Sequence, residues 1–199
     1  MPWCPLSNPR RAPATTAAAM LAVACLFTAA RADSELEPCA DAATLQRAVQ
    51  RMNELRLHAD APCARTNVLP QELIWEARLA SSAQRQASDL AVRDLLSHVD
   101  AQERGFGARL RSAGYAAAGA GENLAAGQTD FDDTLQAWLA SPTHCANLMQ
   151  PEFRDVGLAC VQRRGSRYER FWVAHLGAPV RGEPRLSVAW RGDAAFAAR

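Results

Sequence analysis

Lysine is absent from this chain of 199 residues: all 22 of its basic side chains are arginines, set against 21 acids. That near-balance excludes the one-sided positive excess that a grip on nucleic acid requires. Aromatic residues make up only 7% of the chain, and alanine takes much of the remaining space. No apolar run reaches the roughly 20 residues of a membrane-spanning helix. There is no Gly-x-Ser-x-Gly elbow, no phosphate-binding glycine loop, no His-x-x-x-His pair and no internal repeat. The length fits one domain of ordinary size plus ends.

Arg10 and Arg11 precede an apolar stretch from Ala14 to Ala30, and Ala30-Arg31-Ala32 follows it. A charged start, an apolar middle and a small-x-small site together read as a cleaved secretory signal over residues 1–32, with the mature chain starting at Asp33. The stretch is too short, and too diluted by Thr and Ala, for a membrane anchor. A lipoprotein signal ending at Cys25 is the weaker alternative, because Ala22 stands where a larger aliphatic is preferred. The expected location is therefore periplasmic or extracellular. Losing Arg10, Arg11 and Arg31 leaves 19 basic residues against 21 acidic ones. Cys39, Cys63, Cys145 and Cys160 remain, an even number in an exported chain, which implies two disulfides with three possible connectivities. Cys39–Cys63 with Cys145–Cys160 is the expected pairing, the second closing a loop of about 15 residues.

Leu45, Ala48, Val49, Met52 and Leu55 recur at helical spacing and predict a helix from Asp41 to near Arg56. Pro70 opens a second, Ala-rich pattern that runs to about Asp94. A short helix is predicted from Arg104 to Ala113 and another behind Asp130, Asp132 and Asp133, whose acids suit a helix N-terminus. Ser141-Pro142 reads as a fresh start with Ser as cap, placing His144 in a first turn. Val156 to Gln162 and Tyr168 to Leu176 flank Arg163-Arg164-Gly165-Ser166 and read as a hairpin. The end beyond residue 180 is linker-like, with an extra strand as one reading of Leu186 to Trp190. Helices mixed with antiparallel strands make an α+β domain.

Several polar words stand out along this frame: Asn53-Glu54-Leu55-Arg56, Leu96-Ser97-His98, Gly121-Glu122-Asn123, Ser141-Pro142-Thr143-His144-Cys145-Ala146-Asn147 and Asp155-Val156-Gly157. In this order they resemble a bacterial CAP domain, the family of cysteine-rich secretory proteins, antigen 5 and plant pathogenesis-related proteins. The resemblance covers about Leu45 to Gly177. It implies a three-layer α-β-α sandwich over residues 42–179, with 33–41 as an N-terminal segment and 180–199 as a tail, and it implies a strand through Glu122.

The resemblance also implies that His98, Glu122 and His144 share a cleft. Many relatives carry a second Glu three residues after the helix Trp, whereas Ser141 stands there in this chain. Two imidazoles and a carboxylate resemble a three-ligand site for Zn²⁺ or a similar divalent ion, with water completing the shell. Glu122 is also the candidate base, should bound water be activated. Ser141 reads as a cap rather than a nucleophile, and Asn123 and Asn147 as brackets. Arg109 reads equally as a partner for an acid near the cleft or as a solvated residue. His58, at a helix end beside a turn, reads as solvated, and His175 as a satisfied, half-buried imidazole in a strand. The arginine group at 163, 164, 167 and 170 suits either a polar turn or contact with an anionic polymer or lipid. The expected function is a monomeric binding module for a divalent ion and for a lipid or peptide. Its alternatives are a metal-assisted hydrolase of peptide or envelope material and a structural envelope protein.

Overall fold

A computed structural model describes residues 36–57, 63, 70–182 and 184. The signal segment, the start at Asp33, Cys25, His58 and the run from Leu186 to Trp190 lie outside the described residues. Strand β1 is Leu36–Pro38, helix α1 Ala42–Leu57, strand β2 Ile74–Trp75 and helix α2 Ala77–Arg93. Helix α3 is Phe106–Ser112, strand β3 Ala117–Ala126, helix α4 Phe131–Ala140 and helix α5 Pro142–Leu148. Strands β4, Asp155–Arg163, and β5, Arg170–Pro179, complete the order.

The sheet runs β1-β4-β5-β3, with β2 added in parallel beside the start of β4. All other pairings are antiparallel. Alternation along the central strands feeds two cores. Val156, Leu158, Cys160, Trp172, Ala174 and Leu176 face α1, α4 and α5, together with Leu45, Met52, Trp138 and Leu148. Ala159, Val161, Phe171 and Val173 face Ala83, Ala87, Leu90 and Ala91 of α2. A sheet covered on both faces needs continuous apolar strands, and β4 and β5 are read easily for that reason. The expected α+β sandwich is therefore present, with helices on either side of a small antiparallel sheet.

The alanines of α2 serve close approach. At Gly157 of β4 a Cβ would overlap the backbone of Leu79 and Ala80, so α2 lies directly on the strand. The second helix does not start at Pro70, as the proline signal predicts. Ile74 and Trp75 pair with Asp155 and Val156, and α2 starts only after Glu76, whose carboxylate accepts from the Arg78 amide. Its far end is as expected: Asp94 takes the left-handed conformation with φ 52°.

The disulfide pairing differs from the expected one. Cys39 is bonded to Cys160 and Cys63 to Cys145, with Cα separations of 5.1 and 5.8 Å. The cause is β1, too short for a sequence signal, which lies antiparallel to β4 with Pro38 opposite Val161. The next residue, Cys39, then donates its amide to the Cys160 carbonyl at 3.0 Å. Cys160 is thereby taken, and Cys145 of α5 is left to Cys63. Ser141 also departs in part from its reading. Its carbonyl receives the Cys145 amide at 2.9 Å, but its side chain makes no capping bond.

Candidate functional site

Among the described strands β3 lies at the edge of the sheet, and its Glu122 and Asn123 point to opposite faces. Glu122 stands opposite His175 of β5 in the register. Its Oε2 lies 2.8 Å from His175 Nε2 and accepts from Arg109 Nη2 of α3 at 2.5 Å, while its Oε1 lies 2.7 Å from His98 Nδ1. Glu122, Arg109 and His175 are buried, but the His98 side chain is 61% exposed. His98, Glu122 and His175 thus form one cluster with an accessible imidazole at its rim.

Every group around this carboxylate has a physical reason for its charge. Burial pushes the Glu122 pKa up, but the hydrogen bonds of His175 and His98, with the charge of Arg109, outweigh burial and hold it at about 2. His175 goes the other way: complete burial dominates and lowers its pKa, so it stands neutral with Nε2–H toward Glu122. Among the described residues its Nδ1 has no hydrogen-bond partner, and Phe106 packs on the ring at 4.8 Å between centroids. The hydrogen bond to Glu122 raises the His98 pKa. Arg109 does further work, its Nη1 donating to the carbonyls of His98 and Arg104, both at 2.8 Å. One buried guanidinium therefore fixes the carboxylate and the loop that bears His98.

Asn123 serves the other face. Its Nδ2 donates to the His144 carbonyl at 3.0 Å, and its Oδ1 accepts from Asn147 Nδ2 at 2.9 Å. Those bonds tie α5 to β3 and are the brackets expected of the two asparagines. Gly121 permits the approach, since a Cβ there would come within 2.9 Å of Asn147 and Phe153. Arg56, fully buried in α1, secures the far end of α5: it donates to the carbonyls of Leu148, Gln150 and Phe153 and to that of Gln71. Burial lowers its pKa to about 10.

His144 is half-buried at the head of α5. Burial lowers its pKa, and it is close enough to His98 for a proton on that ring to lower it further. Of the expected residues, His98 and Glu122 touch, and the third member of their cluster is His175, whereas His144 makes no hydrogen bond to either among the described residues. Arg109 is a buried partner of Glu122 rather than a solvated residue. His175 is not among the expected cleft residues. The signal for it is the alternation Phe171, Val173, His175, which sets a polar ring on the inward face of a central strand where it must find a partner.

Two imidazoles with a carboxylate have the composition of a divalent-ion site. Among the described residues, however, no three His, Cys, Asp or Glu groups stand ready to hold an ion. The reason is visible at Glu122, whose oxygens are already engaged by Arg109 and the two rings.

Comparison with known proteins bears on the family and the fold. The family described as "Cysteine-rich secretory protein family", CAP, matches residues 49–176. Uncharacterized protein YkwD of Bacillus subtilis is 29% identical over 87 residues, 42% of this chain and 33% of that protein. An extracellular protein containing an SCP domain from Bacillus anthracis has a TM-score of 0.54 at 25% identity, over 66% of this chain and 39% of that one. An outer surface protein from Borrelia burgdorferi has a TM-score of 0.59 at 17% identity, over 69% of this chain and 94% of that one. The chain thus spans well under half the length of the two Bacillus relatives. A family match across most of the chain, on a sandwich with the cluster at the edge of its sheet, makes this protein a member of the cysteine-rich secretory protein (CAP) family.

Proposed function

We propose that the protein is an exported CAP-domain binding module whose ligand site is the His98–His144 pair. The observation that carries this reading is the engagement of Glu122. A carboxylate with a pKa of about 2 and both oxygens hydrogen-bonded is a weak base, but it is a strong orienting group. By holding His98 Nδ1–H, it leaves Nε2 directed elsewhere with enhanced basicity, the role a carboxylate plays behind a ligating imidazole. A divalent ion held by His98 and His144 would supply positive charge for a carbonyl, carboxylate or phosphate oxygen of a lipid or peptide. Export is supported by the two disulfides, which persist in oxidising compartments, and by the extracellular and surface descriptions of the two solved relatives. The described residues include no helix long and apolar enough to cross a membrane.

Neutral imidazole is the form that binds a metal, so protons compete. Because Glu122 raises the His98 pKa, that competition begins above the ordinary value of 6.5, and affinity rises through neutral pH. Calorimetric titration of Zn²⁺ into oxidised, metal-free protein at two pH values tests the reading. Binding should be lost in the His98→Ala, His144→Ala double variant, and Glu122→Gln should weaken it by about 10- to 100-fold. Equal binding by wild type and the double variant would overturn the site. A hydrolytic rate on peptide or envelope substrates that vanishes in Glu122→Gln would replace binding with catalysis.

A further inference from the structure

Four large aliphatic residues stand exposed within eight positions at the end of α2 and in the loop after it. Val92, Leu95, Leu96 and Val99 are between 38% and 59% exposed. The backbone beneath them is well fastened. The Leu95 amide reaches Leu90 O at 3.3 Å, Gln86 Nε2 donates to Ser97 O at 2.7 Å, and Arg93 Nη2 donates to Val99 O at 2.7 Å. These side chains are therefore presented to solvent by a held loop.

The turn between β4 and β5 is welded to the same place. Arg163 Nη1 donates to the carbonyls of Ala91 and Val92, at 3.2 and 2.8 Å, and the Arg167 amide donates to Asp94 Oδ2 at 2.7 Å. Four arginines, at 163, 164, 167 and 170, stand on this turn against one acid, Glu169. Arg164 and Arg167 are exposed. The pairing of Arg164 with Glu37, at 3.6 Å between exposed side chains, binds it little. Arg167 lies over the half-buried Tyr168 ring at 5.1 Å.

Scattered exposed aliphatics are ordinary, but a cluster rimmed by arginines and an aromatic ring has the composition of a bilayer interface. Aliphatic side chains enter the acyl boundary, guanidinium groups take lipid phosphates, and their stems and a tyrosine ring lie at headgroup depth. We infer that this surface docks on an anionic lipid bilayer, with Val92, Leu95, Leu96 and Val99 inserted and Arg164 and Arg167 on phosphates. His98 lies between Leu96 and Val99, so docking sets its imidazole at the rim of the contact, facing material at the bilayer surface. The inference does not depend on what His98 and His144 bind.

Sedimentation of the oxidised protein with phosphatidylcholine vesicles, with and without phosphatidylglycerol, tests it. Binding should require phosphatidylglycerol, and Arg164→Gln and Arg167→Gln should each weaken it about fivefold. The Val92→Ser, Leu95→Ser double variant should weaken it by about tenfold or more, with its melting temperature unchanged to show that it folds. Failure of the wild type to sediment, or binding indifferent to these substitutions, overturns the proposal. So does retention by a soluble polyanion that the double serine variant shares in full, which would assign the arginines to a polymer and leave the apolar residues idle.

Discussion

Glu122 is the residue on which the site turns, and its chemistry fixes how it answers to acid. Its folded pKa of about 2 lies below the ordinary 4.5, so its contribution is complete above about 4.5 and is lost as pH falls toward 2. That contribution is on the order of 3 kcal/mol. His98, with its pKa raised, stabilises the fold below its ordinary value and loses that as pH rises. Buried neutral His175 and half-buried His144 have lowered pKa values and act in the opposite sense, costing stability as pH falls through 6.5. The imidazoles thus oppose one another, and below pH 4.5 Glu122 supplies the largest share of the acid limb, to which Asp41 and Asp100 add through their own lowered pKa values. Glu122→Gln should make that limb shallower in denaturant titrations between pH 2 and 5. It should also cost about 3–5 kcal/mol at neutral pH, because Arg109 is left buried without its counter-charge. Sequence words alone place Glu122 and His98 in one cleft, since the motifs that carry the resemblance contain them. They do not disclose His175 or the burial of Arg109, because both depend on which residues lie across from β3.

At the scale of the element, helices are legible and their junctions less so. The apolar spacing of α1 and the acids before α4 act within a turn or two, so local pattern suffices to find them. The start of α2 is decided from outside, by the pairing of Ile74 and Trp75 with β4, and Pro70 misleads for that reason. β1 carries no periodicity at three residues, yet it determines which cysteine meets which. The contact at Gly157 is the clearest test of how α2 is seated. Gly157→Ala would drive a methyl group into the Leu79–Ala80 backbone, and overpacking of this kind costs about 1–3 kcal/mol or more. The Phe171 and Val173 side of the core should loosen with it. A urea melt measures the first effect, and hydrogen exchange in α2 the second.

Across the whole molecule, two covalent ties divide the labour. Cys39–Cys160 fastens the first strand to the sheet, whereas Cys63–Cys145 fastens α5, the helix that bears His144. Each double replacement by Ala should lower stability by about 2–5 kcal/mol. Only the Cys63→Ala, Cys145→Ala variant should broaden the His144 ring resonances in NMR spectra, and resonances that stay sharp in both variants would show that α5 is held by Asn123, Asn147 and Arg56 without the disulfide. The two asparagines and the glutamate also impose a rule on the edge strand. Glu122 serves one layer and Asn123 the other, so sliding β3 by a single position would send the carboxylate toward α5 and the amide toward Arg109. The charge would then be stranded from its guanidinium and α5 released from its clasp in the same event. Two adjacent letters thereby act as a lock on strand alignment, and a one-residue insertion or deletion within β3 itself, which shifts one side of the lock against β5, should be far more damaging than one in the turn between β4 and β5.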